Sequence, residues 1–476
     1  MARSEYDAVI VGAGPNGLSA AIELGRAGLS TLVIEAAGTA GGGCRSGELT
    51  LPGFIHDHCA AVHPLGATST FFRSLGLERH GLEWVHSPAL LAHVVDDRTV
   101  ITLEHKLSDA VANFGPDGRA YQDLVGPFVE RWHELYPMVL GPLRFPAHPF
   151  LMGRFGLKAL RSMRGLAMSK FTQEPVRALL AGISAHAMVP LDAVATASFA
   201  LVLAIAGHVG GWPVARGGSQ AIIHALVAVM REQGGELELG HTVTSMAELP
   251  RARAYLFDVT PRQLLAIAGD RLPSGYRRRL EAFRYGPGVY KLDWALRGPI
   301  PWKNPACARA STVHMSGTFD DIEAANKAVH AGALAQHPFI LLAQPSLFDP
   351  TRAPEGMHTA WAYCHVPHGS TIDASANIEG HIERFAPGFR DLIIGRSTKN
   401  AVEMEQYNPN YVGGDINGGF AELSQLFFRP VARVDPYATP TPDIFLCSSS
   451  TPPGGAVHGM CGYWSAHSAL RRVFGR

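Results

Sequence analysis

Apolar and polar positions along this chain fall into blocks of different period. Residues 8–11 form a short, wholly apolar run of the kind that makes a buried parallel strand. Turn residues from Gly12 to Gly17 interrupt it. A helical pattern follows, with Ala21 and Leu24 on one face and Gly28 at its end. Residues 31–34 are a second apolar run that closes on Glu35. Residues 68–77 read as a helix carrying Phe71, Phe72 and Leu75, and residues 90–103 as two short strands around Asp96-Asp97-Arg98. From about 107 to 207 the pattern is mainly helical. A helix over 220–232 ends at Gly234-Gly235, after which Leu237, Leu239 and Val243 alternate as a strand. Residues 255–261 read as a return strand. Strands over 290–296, 339–344 and 359–364 predict an antiparallel sheet under helices, and a helix over 379–385 stops at Pro387. A last short strand over 444–447 leads to a helix from about Val457.

The first of these blocks carries chemistry. Gly12-Ala13-Gly14-Pro15-Asn16-Gly17 is a G-x-G-x-x-G turn between a strand and a helix. Glycines there let the backbone and the helix N-terminus approach a pyrophosphate. Glu35 stands about twenty residues on, where a ribose hydroxyl needs an acceptor. Strand, turn, helix, strand and acid in register predict a dinucleotide site. The plain alternative is a glycine-rich packing turn without a ligand.

Composition narrows the class. A chain of 476 residues suits about three domains, or two interleaved ones. Lys plus Arg equals Asp plus Glu at 41 each, so no basic field favours nucleic acid. The six cysteines (Cys44, Cys59, Cys307, Cys364, Cys447 and Cys461) form no C-x-x-C pair. That excludes a thioredoxin-like redox pair and a disulfide framework, and points to a reducing cytoplasm with no signal peptide. His56, Asp57, His58 and His63 lie close together, but their spacing matches no standard metal site, so no metal is expected. They read as loop side chains bonding near a cofactor, with His56, Asp57 or His63 candidates to line its cavity. No Ser-His-Asp or Cys-His nucleophile pattern supports a hydrolase.

Beyond Glu35, Gly41-Gly42-Gly43-Cys44-Arg45-Ser46 resembles the G-G-R-x-R-S/T element of the two-dinucleotide-binding-domain flavoproteins, which include amine oxidases, phytoene desaturases and carotenoid isomerases. The first Arg of that pattern is Gly43 here. Residues 213–219, followed by helix, Gly-Gly and strand, resemble the second element of that group, in which the Val243 position faces the adenine. Residues 448–463 resemble its C-terminal flavin motif. The segments PGFIHDHCAAVHPL, RGGSQAI, ERFAPGF and STPPGGAVHGMCGY are similar to phytoene-dehydrogenase-like proteins, including the pyridine-nucleotide-disulfide-oxidoreductase-domain protein 2 group. The resemblance implies FAD, bound by Gly12, Gly14, Pro15, Asn16, Gly17, Glu35, Ala36, Gly41, Gly42, Gly43, Arg45, Ser46, Val243, Gly454, Gly455, Gly459 and Met460. It implies an α/β fold: a Rossmann-like FAD-binding domain of the glutathione-reductase-2/amine-oxidase type (1–85, 212–265, 422–476) and an interleaved α+β substrate domain (86–211, 266–421).

The resemblance implies an FAD-dependent oxidoreductase of desaturase or dehydrogenase type, moving a hydride between a polyene, isoprenoid or lipid-like substrate and flavin N5. It names no catalytic acid or base. Amine oxidases place a lysine near the flavin; Lys291 reads instead as one more position on an exposed strand face, and the missing Arg at Gly43 weighs against an amine oxidase. A polyene isomerase using reduced FAD and a flavin-binding interaction protein without turnover are further readings. Two segments concern partners. Residues 151–171 carry Arg154, Lys158, Arg161, Arg164 and Lys170 among apolar residues and no acid, which suits peripheral contact with an anionic membrane, against a helix that merely meets water. Residues 193–211 carry no charge and read as a buried helix lining an apolar cavity rather than a lipid span. Oligomeric state and electron acceptor stay open.

Overall fold

The computed structural model describes residues 5–476; residues 1–4 lie outside it. In chain order the strands are β1 (Glu5–Val11), β2 (Thr31–Glu35), β3 (Ser46–Glu48), β4 (Ile55–Asp57), β5 (Trp84–Val85), β6 (Leu91–Val94), β7 (Val100–Leu103) and β8 (Val214–Ala215). They continue with β9 (Glu236–Leu239), β10 (Arg251–Phe257), β11 (Gly288–Leu296), β12 (Thr312–Met315), β13 (Ile340–Ala343), β14 (His358–Val366), β15 (Ile393–Lys399) and β16 (Ile444–Leu446).

Five of them form a parallel sheet in the order β16-β10-β1-β2-β9. Ala8, Val9 and Ile10 of its central strand are wholly buried, as a strand covered on both faces requires. The helix Pro15–Arg26 connects β1 to β2, and the helix Met460–Ala469 lies against it. The approach is so close that a Cβ on Gly462 would overlap the Asn16 carbonyl. Val243 falls outside the predicted strand, because β9 stops at Leu239 and Gly240 turns the chain at φ 74°. The last helix begins at Met460 rather than Val457, since Ala456 and Gly459 hold φ values of 105° and 72°.

The second sheet has the order β15-β11-β14-β13-β12-β6-β7. Its pairs are antiparallel as expected, except β12 with β6, which run parallel. Only a tight hairpin forces an antiparallel pair, and β6 meets β12 from more than two hundred residues away. The helices Leu107–Asn113 and Glu174–Ala185 pack at the β6–β7 end of this sheet, and the helix Phe319–His330 packs on β14. Residues 151–171 are not one amphipathic helix but two, Pro149–Ala159 and Met163–Lys170. Ser162 breaks them, its hydroxyl capping the second by accepting from the Gly165 N–H at 3.1 Å. The uncharged helix Ala197–Gly210 packs among Glu174–Ala185, Gly118–Val129 and Pro149–Ala159. Among the described residues, no helix is long and apolar enough to cross a membrane.

One buried polar cluster joins the two sheets' connections. Arg352 is fully buried, its Nη1 2.9 Å from Asp57 Oδ2 and its Nε 2.9 Å from Asp349 Oδ2. Its Nη2 donates to the Ala215 carbonyl at 3.0 Å. Asp57 also accepts from the Ser46 hydroxyl at 2.6 Å and the Ser219 N–H at 2.7 Å, and Asp349 accepts from the Gly217 N–H at 2.7 Å. Burial alone would raise the Asp57 carboxyl pKa; Arg352, Ser46 and Ser219 outweigh burial and hold it below the ordinary range. Removing one member leaves buried charge uncompensated. Arg352→Met should therefore cost about 3–5 kcal/mol, read as a lower urea midpoint by circular dichroism; an unchanged midpoint would show that the cluster is not structural.

Candidate functional site

A groove with a cavity of about 480 Å³ runs along the C-terminal edge of the parallel sheet. Three stretches far apart in sequence line it. The first is the turn after β1, which contributes Gly12, Gly14, Pro15 and Asn16. Gly12 has φ 104°, and a Cβ there would come within 2.8 Å of the Asp258 carbonyl, so only glycine fits. The Ala13 N–H donates to Glu35 Oε2 at 2.8 Å and the Ala37 N–H to Glu35 Oε1 at 2.9 Å. The acid at the end of β2 is thus held at the groove wall. The Gly41 N–H donates to the Ala13 carbonyl at 2.9 Å, pinning the second glycine cluster beside the first. Gly42, Gly43, Cys44 and Arg45 then continue the wall.

The second stretch is the turn after β9. Its Gly240 and His241 N–H groups donate to the Ala37 and Glu35 carbonyls, both at 3.0 Å, which brings Val243 to the groove. The third is the loop after β16, with Ser448, Ser449, Ser450, Ala456 and Val457. Glu35 and Ala36 also line the groove, whereas Gly17, Gly41, Ser46, Gly454, Gly455, Gly459 and Met460 lie outside its lining. Gly17 sits beneath the turn, where a Cβ would overlap the Gly12 carbonyl. Ser46 belongs to the Arg352 cluster. Gly454 lies against Arg429 and Gly455 against Asn417. Gly459 packs on Ser19 and Phe72, and the Met460 N–H donates to His458 Nδ1 at 3.0 Å.

Other lining residues carry no motif. Tyr407 ends the helix Ala401–Tyr407, and Tyr411 comes from the loop after it, which reads in sequence only as turn-rich. Tyr407 stacks on His58 with ring centroids 4.5 Å apart, and the Arg45 guanidinium lies 4.5 Å from the same ring. Cys59 and Ala60 line the groove in place of the neighbouring histidines. His63 Nε2 bonds the Ser219 hydroxyl at 2.8 Å and Asp57 joins the Arg352 cluster, so neither lines the cavity. Among the described residues, no His, Cys, Asp or Glu group could hold a metal. Cys461 is buried, its thiol directed at the Thr451 and Gly454 carbonyls.

Lys291 departs most from its sequence reading. It is 2% exposed and bonds Asp293 at 2.5 Å. Period-two alternation places it on one face of β11 without saying that the segment from His56 to Cys59 covers that face. His56 Nδ1 stands 3.5 Å from Asp293, and Thr50 bonds His56 Nε2 at 2.8 Å. Burial pushes the His56 pKa down to about 4 and that of His58 down to about 3, so both rings are neutral at neutral pH. On the same face of the second sheet, Lys291 pairs with Tyr363, Tyr363 with Leu341, and Leu341 with His314. Trp361, Tyr363, His365 and Phe339 stack in sequence along it. Trp361 Nε1 and His365 Nε2 have no hydrogen-bond partner among the described residues.

Asp258, just past β10, lies under the first glycine turn and accepts from the Gly17 N–H at 2.9 Å. Burial raises its pKa to about 7 against the pull of the Gly17 and Gly14 N–H groups, with Glu35 adding to the rise. Asp415 accepts from the Gly286, Asn417 and Gly419 N–H groups and holds a turn.

Residues 10–75 match the NAD(P)-binding Rossmann-like domain family. The chain is 25% identical to a rat pyridine nucleotide-disulfide oxidoreductase domain-containing protein 2, over 98% of this chain and 94% of that one. It is 23% identical to a lycopene-forming phytoene desaturase from Paracoccus sp., over 96% of this chain and 95% of that one. Both groups named by the motif resemblance are thus among its relatives. Wild-type putrescine oxidase with putrescine bound shares the fold, with a TM-score of 0.63 at 16% identity over 99% of both chains.

Asp258 gives a pH-dependent prediction. In the unfolded chain its carboxyl loses its proton near 3.8, in the folded chain near about 7. Between these values the folded form binds more protons, so this group's contribution to stability falls as pH rises. Asp258→Asn keeps the acceptor without the charge. The variant's melting temperature relative to wild type should climb across that window; a difference flat with pH would mean that Asp258 is not held neutral.

Proposed function

We propose that this chain is an FAD-dependent oxidoreductase acting on a hydrophobic, polyene-, isoprenoid- or lipid-like substrate. The observation that carries the reading is the convergence of three separated glycine and serine stretches on one groove with Glu35 at its wall. The residues present fit FAD. Gly12 and Gly14 admit backbone where any side chain would strike Asp258, and Glu35 offers an acceptor beside the turn. The backbone of 12–16 and 42–43 would hold the pyrophosphate, Glu35 a ribose, Val243 the adenine, and the Arg45 side the ribityl chain. Bound there, FAD supplies a hydride acceptor or donor at its flavin N5.

The rest belongs to this chain's own side chains. Trp361, Tyr363, His365 and Phe339 offer flat, mainly apolar surface that positions a substrate and excludes water. The Lys291–Asp293 pair places the Lys291 Nζ in that dry wall, with neutral His56 behind it. Oxidation of an amine is a second reading, and it is the burial of Lys291 that favours it.

Reconstitution with FAD should give the visible flavin absorption bands in the purified protein; protein that stays colourless would sink the reading. Glu35→Ala removes charge-assisted bonds and should weaken FAD binding by roughly tenfold to a hundredfold, measured by titration of flavin fluorescence. Anaerobic bleaching by isoprenoid lipids supports the leading reading, bleaching by amines the second. Bleaching by neither across a broad panel favours an interaction protein.

A further inference from the structure

We infer that residues 143–160 form a docking surface for an anionic lipid bilayer, built from apolar side chains pointing into solvent. The helix Pro149–Ala159 buries Leu151, Phe155 and Ala159 on one side. Its other side carries Phe150, Gly153, Arg154 and Leu157, spaced by three, four and seven residues from Phe150, with Leu160 following. That outer stripe is strongly exposed: Phe150 93% and Leu157 79%. The loop before it adds Phe145 at 88% and Leu143 at 62%. Val194 is exposed beside Leu160, where the Ala195 N–H donates to the Leu160 carbonyl at 3.1 Å. Such contiguous apolar exposure is uncommon on a protein surface that meets only water.

Charge selects the occupant. Between residues 141 and 170 stand Arg144, Arg154, Lys158, Arg161, Arg164 and Lys170 and no Asp or Glu. Glu323 and Asp320 neutralise Arg164, so it takes no part. Arg154 and Lys170 have no carboxylate partner among the described residues. Lys158 stands between Arg154 and Lys170, but its Nζ donates to the Asp123 and Leu124 carbonyls at 2.9 and 3.2 Å, which leaves Arg154 and Lys170 as the cations this face presents. A second copy of this face would set cation against cation. A bilayer with anionic headgroups accepts both components: Phe and Leu at the acyl boundary, Arg and Lys at the phosphates. This surface is independent of the flavin reading.

The test is flotation of the full-length protein with phosphatidylcholine vesicles, with and without phosphatidylserine. Wild type should float with the anionic vesicles, less so as salt rises. Phe150→Ser with Leu157→Ser should lower partitioning by roughly tenfold per residue. Arg154→Glu should remove the preference for phosphatidylserine. All these side chains are exposed, so melting temperatures should stay at the wild-type value. Phe145→Ser, in the loop, serves as an independent variant should the double variant misfold. Absence of wild-type flotation, or undiminished flotation of both the double and the loop variant, would overturn the proposal. So would concentration-dependent dimerisation that the double variant abolishes, which would assign the face to a second copy.

Discussion

The buried guanidinium of Arg352 is the constraint on which the rest of the molecule depends. It holds two carboxylates, one from β4 and one from the turn after β13, and through them Ser46, Gly217 and Ser219. Ser46 ends the second glycine cluster, and Ser219 opens the helix that leads to β9. Two of the three groove-forming stretches are therefore spaced by one ion cluster beneath them. Paired buried charges contribute little net stability, yet they tolerate only one geometry. Here that geometry sets the distance between the groove and the second sheet.

Much of the fold is legible in residue pattern. Buried parallel strands read as continuous apolar runs, which is why β1, β2 and β10 stand out. The alternation of β11 and β14 is equally plain, because their two faces meet different neighbours, while β13 is one more continuous apolar run. What the pattern does not carry is which face meets what. Lys291 alternates as a surface lysine would, and only the arrival of the β4 segment, whose His56 stands beside Asp293, makes its side the inner one. The parallel pairing of β6 with β12 is invisible for a similar reason: neither strand's own sequence encodes a partner so distant.

The candidate site divides along the same line. Gly12, Gly14, Glu35 and the cluster from Gly42 to Arg45 are legible because backbone approach demands particular residue types at fixed spacing. Asp258, Tyr407 and Tyr411 are not, since an acid after a strand or a tyrosine at a helix end or in a loop fits many roles. Ser46 and Gly459 sit within recognisable motifs, and within the fold the Ser46 hydroxyl bonds Asp57 while Gly459 packs on Ser19 and Phe72. The histidines after Phe54 illustrate how local clustering misleads: His56 turns to Asp293, His58 to Tyr407 and His63 to Ser219, three separate tasks within eight residues.

The strand order of the parallel sheet bears on biosynthesis. Its central strand is synthesised more than four hundred residues ahead of β16 and the groove wall at 448–457. Pairing across such a separation is slow, because the loop entropy is lost before the contacts form. A chain truncated ahead of residue 444 would own every glycine of the first turn and still present an open trough. Any ligand of this groove therefore meets its finished walls only once that segment has been made, so that occupancy reports on the joining of segments more than four hundred residues apart.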